Sequence, residues 1–115
     1  MVATEDDVRQ IALALPGTTE RPSYGTPGFR VADRLFLRMH DQPGVLVLWC
    51  EDEHAKRTLL ALEGLAFFTT PHYDGHPSVL VRLDQVERQA LAELVLEAWR
   101  ARAPRRLLTS ERDRQ

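Results

Sequence analysis

Cysteine is nearly absent from this chain: Cys50 is the only one in 115 residues. An intrachain disulfide is therefore excluded, and so is a multi-cysteine metal site. Long apolar runs are missing as well. The longest, residues 45–50, has the length of a strand and falls far short of the ~20 residues needed to cross a bilayer. The opening Met-Val-Ala-Thr-Glu-Asp-Asp is acidic where a secretory leader would be basic and then apolar. A cytoplasmic protein with no membrane partner is expected. Lysine is as scarce as cysteine, since Lys56 is the only one among fifteen cations. Genome composition accounts for that bias without any appeal to function.

What is present is ordinary for a globular domain, with 43% hydrophobic and 28% charged residues. A chain of this size buries roughly 65% of its unfolded surface, enough for one core without staples. The net charge of −2 argues against a strongly cationic nucleic-acid binder. The distribution is uneven, however. Residues 1–99 carry nine basic and fifteen acidic side chains, whereas residues 100–115 carry six and two.

Thr4 and Asp7 form a capping-box pattern, and Val8, Ile11, Ala12 and Leu15 follow at helical spacing until Pro16-Gly17. Residues 18–28, punctuated by Pro22, Gly25, Pro27 and Gly28, read as a shaped loop. Three strands are expected next, around residues 29–31, 35–39 and 45–49, the last apolar on both faces and so central. Glu51-Asp52-Glu53 opens a second helix that stops near Gly64. Residues 66–69 and 78–83 flank Tyr73-Asp74-Gly75-His76, where Asp-Gly signals a hairpin. Asp84 with Glu87 reads as the cap of a long helix ended by Pro104. The order α-β-β-β-α-β-β-α, with short connections, predicts an α+β fold: a mainly antiparallel sheet with helices packed on one face. One domain over residues 1–108 is expected, followed by a frayed polar tail at 109–115.

The chain resembles the MmcQ/YjbR family of small bacterial proteins. The resemblance rests on Leu15-Pro16-Gly17-Thr18-Thr19-Glu20, Gly25-Thr26-Pro27-Gly28-Phe29-Arg30-Val31, Pro71-His72-Tyr73-Asp74-Gly75-His76 and Val81-Arg82-Leu83-Asp84. It continues through Ala98-Trp99-Arg100 and Ala103-Pro104-Arg105-Arg106-Leu107, and so spans roughly residues 8–108. It implies a fold similar to the CyaY (frataxin-like) arrangement and a DNA-binding role. It carries no catalytic residue and no cofactor with it.

Strand alternation singles out a first candidate site. If Val31, Leu37, Val79, Val81 and Leu83 face the helices, then Arg30, Arg38 and Arg82 share the other face with Phe36 and Leu80. Guanidiniums around an aromatic could grip phosphates or stack on bases; equally, they could pair with acids on a solvated sheet. Arg100, Arg102, Arg105 and Arg106 form a basic end that suits a helix C-terminus or a phosphate-contacting arm. A second candidate, a ligand loop, comprises Tyr24, His72, Tyr73 and His76. No metal is expected there, because His72 and His76 flank a turn and need not converge. Cys50 ends an apolar strand and reads as a small hydrophobe rather than a nucleophile. Gly25-Thr26-Pro27-Gly28 lacks the ending of a phosphate-binding loop, and Trp49 and Trp99 read as core.

Two functions follow. One is a non-enzymatic DNA-binding monomer that contacts phosphates through these arginines. The other is a small-molecule or protein-partner module that uses the open sheet face and no nucleic acid. An enzyme would require a pocket joining His72, His76 and Cys50.

Overall fold

The computed structural model describes residues 1–113, with side chains described through Thr109. Helix α1 (Glu5–Leu13) is capped as its sequence demands: the Asp7 amide donates to Thr4 Oγ1 at 3.2 Å, and the Thr4 amide donates to Asp7 Oδ2 at 3.0 Å. Strands β1 (Thr18–Ser23), β2 (Thr26–Val31), β3 (Arg34–Met39) and β4 (Val45–Trp49) then run as a meander. Helix α2 (Glu53–Leu60) starts at Asp52, whose side chain accepts from the Ala55 amide at 2.8 Å. Strands β5 (Phe67–Phe68) and β6 (Ser78–Arg82) precede helices α3 (Arg88–Arg102) and α4 (Arg105–Asp113). Every strand pair is antiparallel, in the order β1-β2-β3-β4-β6-β5. The fold is α+β, and the expected central position of β4 holds.

Alternation along the strands builds two cores. Val31, Leu37, Leu46, Leu48, Val79 and Val81 point to the helices and meet Val8, Ala12, Leu91, Val95 and Trp99. Each large side chain buried here contributes ~1.5–3 kcal/mol. Trp99 is fully buried, and its indole N–H donates to the Pro16 carbonyl at 3.0 Å. On the other face Val45, Val47 and Leu80 pack with Tyr73, flanked by Trp49 and Phe68. That face is therefore partly roofed, by the segment joining β5 to β6.

Residues 18–28 are not a loop. They form the β1–β2 hairpin, closed by Tyr24 (φ 54°) and Gly25 (φ 82°). A second such turn, Ala32 (φ 49°) and Asp33 (φ 63°), joins β2 to β3. Positive φ at both central residues matches the right-handed strand twist, and the hairpins form despite poor residues for it. Pro22 stands opposite Pro27, with Pro22 on an edge strand where a missing donor is tolerated.

Phe36 departs from simple alternation. Phe29 pairs with Leu37 and Arg30 with Leu35, so Phe36 is an extra residue bulged from β3. Its ring is fully buried in the helix-side core, not on the open face beside the arginines. Leu35 takes the place on the open face that alternation assigns to Phe36. Gly28, opposite Arg38, makes room there: a side chain on it would come within 3.0 Å of the Arg21 carbonyl and 3.1 Å of Leu35.

Three further elements differ from expectation. Asp74-Gly75 is not a two-residue hairpin turn but the end of a longer connection that begins with a 3₁₀ turn at Pro71–Tyr73. Asp84 lies in a second 3₁₀ turn, Leu83–Gln85, and Glu87 is the N-cap residue of α3, its carboxylate accepting from the Met1 ammonium and not from the helix amides. Pro104 ends α3 as expected, with Ala103 as the C-cap, but it also starts a further helix: its carbonyl accepts from the Leu107 amide at 3.0 Å, and Leu107 and Leu108 pack on the core. The polar tail expected from residue 109 thus falls partly within α4, while Arg114 and Gln115 lie outside the described residues.

The Ala32-Asp33 turn generates a direct test. Asn tolerates the left-handed conformation that costs Ala energy, so Ala32→Asn should raise stability by about 0.5–1 kcal/mol. Urea unfolding of the two proteins measures it.

Candidate functional site

The open face carries a cavity of about 430 Å³, lined by Tyr24, Leu35, Arg38, Asp41, Trp49, His72, Tyr73, His76 and Ser78. Six separate stretches of chain converge on it. The β1–β2 turn supplies Tyr24, β3 supplies Leu35 and Arg38, and the β3–β4 turn supplies Asp41. Trp49 ends β4, Ser78 starts β6, and the β5–β6 connection brings His72, Tyr73 and His76.

Arg38 is the central group. It is only 8% exposed, yet no salt bridge to it exists among the described residues. Its partners are neutral oxygens: Nη1 donates to Thr26 Oγ1 at 3.3 Å and to the Met39 carbonyl at 3.2 Å, and Nη2 donates to the Tyr73 hydroxyl at 3.1 Å. The Tyr24 ring lies over the guanidinium, 5.3 Å away. A guanidinium has five N–H groups, so part of its donor capacity remains beyond these three bonds.

Lys56 holds the other end of the site in place. It is 4% exposed, and its Nζ donates to the carbonyls of Tyr73 at 2.7 Å and His76 at 2.8 Å. The only lysine of the chain thus ties α2 to the cavity wall. Tyr73 in turn meets His72 edge-on at 5.0 Å and His40 at 6.2 Å between ring centres.

The candidate ligand-loop residues Tyr24, His72, Tyr73 and His76 therefore share one cavity with Arg38. The other arginines do not join it. The register puts Arg30 and Arg82 on the same sheet face, but Arg82 stacks over Phe68 at 3.9 Å and donates to the Leu65 carbonyl. Arg30 lies past the bulge, with its Nε buried and without a hydrogen-bond partner among the described residues. Arg100, Arg102, Arg105 and Arg106 belong to the helix layer. Arg100 pairs with Glu97 at 2.9 Å, and Arg102 Nε donates to the Leu35 carbonyl at 3.1 Å. Burial, then the neighbouring Arg34, lowers the pKa of Arg102. Arg105 and Arg106 are exposed at the start of α4.

Cys50 does not meet the histidines. It lines a second cavity of about 470 Å³, with Trp49, Leu59, Leu94 and Arg100 among its walls. Burial pushes its thiol up to about 11, which disfavours the thiolate a nucleophile needs. Trp49, expected in the core, is a wall of both cavities. Sequence reasoning also missed Leu35, Asp41, Lys56 and Ser78. Only Lys56 carried a signal, as the one lysine of the chain. Among the described residues no three His, Cys, Asp or Glu side chains cluster as metal ligands, and no helix is long and apolar enough to cross a membrane.

Fold and site together define a small α+β domain with an aromatic-lined cavity on its sheet that holds a buried arginine. The YjbR family model matches residues 13–101, and the chain belongs to that family. Relatives 37% identical over 93% of this chain and 94% of their own length are an uncharacterised protein of Mycobacterium bovis and uncharacterised proteins from two strains of Mycobacterium tuberculosis. No solved structure gives a significant match.

Two outcomes are expected from this geometry. Lys56→Met removes both bonds of the ammonium, while each carbonyl keeps one backbone donor. It should cost about 1–3 kcal/mol and speed hydrogen exchange at the His76 and Ser78 amides. Cys50 should react slowly with a disulfide reagent near neutral pH, because roughly one thiol in ten thousand is ionised at a pKa of about 11, and unfolding should release it.

Proposed function

We propose that this protein is a non-enzymatic binding module that takes a small organic anion in the Arg38 cavity. The carrying observation is Arg38 itself, a buried cation facing a cavity with only neutral oxygens as partners. A buried charge without a counterion is costly, and an anionic ligand would supply the missing one. The walls are concave and largely aromatic, with turn residues gathered around strands β3, β4 and β6, which suits a small molecule.

The DNA-binding role implied by the family resemblance is less well supported. It would call for one continuous cationic surface, whereas Arg38 and Arg82 lie on the sheet face and Arg105 and Arg106 in the helix layer. Phe36, the aromatic that would have stacked on bases, is buried on the helix side. The catalytic reading lacks its pocket, since Cys50 and the two histidines line different cavities.

Titration calorimetry with a panel of small carboxylates and phosphate esters tests this reading. Saturable binding that weakens only a few-fold between about 50 and 200 mM salt is expected, because one ion pair is involved. Arg38→Lys should weaken it, and the Arg105→Ala/Arg106→Ala double variant should leave it unchanged. No binding by any small anion, together with DNA binding that falls steeply with salt and is lost in the double variant, would overturn the proposal in favour of nucleic acid.

A further inference from the structure

The lining of the Arg38 cavity specifies its ligand more narrowly, given the reading above that this cavity binds an anion. Charge sets the first limit. The charged side chains of the lining are one guanidinium, Arg38, and one carboxylate, Asp41, with the exposed imidazoles of His72 and His76 at the rim. A monoanion is matched by Arg38 alone. A dianion such as a phosphate monoester would bring a second negative charge beside Asp41 without a cation to meet it. Lys56 does not fill that role, because it is not part of the lining: its ammonium lies behind the wall, on the Tyr73 and His76 carbonyls.

Shape sets the second limit. A cavity of ~150 Å³ suffices for benzene, so about 430 Å³ holds one ring with its substituents and some water, but no extended polymer. Tyr24 sets the third. Its side chain is bulky, it sits at φ 54°, and it is 86% exposed, so neither backbone preference nor burial explains an aromatic there. Its position does: the ring covers the Arg38 guanidinium, with Trp49 among the walls. A tyrosine ring beside the guanidinium and a tryptophan among the walls favour a planar ligand ring. Asp41, finally, accepts hydrogen bonds and would repel a ligand that offers it only acceptors.

We infer that the cavity takes an aromatic monocarboxylate that carries a hydrogen-bond donor on its ring, with the carboxylate on Arg38, the ring against Tyr24 and the donor toward Asp41. Binding involves no covalent step.

The probe is 4-hydroxybenzoate, compared by calorimetry with cyclohexanecarboxylate, phenyl phosphate, benzoate and 4-hydroxybenzyl alcohol on the full chain. The expected order places 4-hydroxybenzoate first, ahead of benzoate by a few-fold and of the other three by about tenfold or more. Tyr24→Ala, an exposed site whose loss should not disturb folding, should weaken 4-hydroxybenzoate about tenfold while leaving cyclohexanecarboxylate unchanged. Asp41→Ala should erase the advantage over benzoate. Equal binding of cyclohexanecarboxylate or phenyl phosphate, still sensitive to Arg38→Lys, would overturn this inference and leave the anion site standing. Absence of binding by every acid in the set would overturn both.

Discussion

Tyr73 is held from both ends by buried cations, and the site depends on that double hold. Its carbonyl receives the Lys56 ammonium from the helix layer, and its hydroxyl receives Arg38 from the sheet. Between those contacts the ring roofs Val45, Val47 and Leu80. Neither cation forms an ion pair among the described residues, yet each donates to oxygens of the chain, so part of the cost of burying charge is offset by charge-assisted bonds. The two cases differ in what remains. Lys56 is sealed away at a junction of elements, whereas Arg38 borders open space. The same physical device thus serves as a structural pin in one place and as an exposed chemical group in the other.

The single bulge in β3 decides what else borders that space. An extra residue turns Phe36 toward the helices, where it joins the core beside Phe29 and Leu37. Leu35 then falls on the face of Arg38, opposite the gap left by Gly28. Without the bulge a phenyl ring would stand in the position that Leu35 now occupies, and the cavity would be shallower. Arg102, bonded to the Leu35 carbonyl from the end of α3, braces the distorted strand from behind.

The sequence exposes the parts of this molecule governed by strong local periodicity. The capping box of α1, the central apolar strand and the amphipathic α3 are all legible, and so is the layering they imply. The β1–β2 hairpin is not, because its turn uses Tyr24-Gly25 and its strands contain Pro22 and Pro27, residues that ordinarily argue against both. The chain holds no asparagine, so the usual marker of such turns is missing throughout. Pro104 misleads in the opposite sense, since a proline that stops one helix can equally start another. The site was half legible: Arg38 and the turn residues Tyr24, His72, Tyr73 and His76 stand out as residue types. Their meeting depends on a bulge, a 3₁₀ turn and a lysine's reach, none of which has a local signature.

The edges of the sheet limit how anything larger can engage this protein. On one side β1 is interrupted by Pro22, and its Glu20 is clamped by the Arg9 guanidinium through bonds of 2.9 and 3.1 Å. On the other, β5 is only two residues long. Neither offers a long, flat row of backbone donors and acceptors for a foreign strand to extend. Self-templated growth into fibrils is thereby discouraged at both margins, and any macromolecule that recognises the domain must read side chains from above or below the sheet instead of zipping onto its backbone.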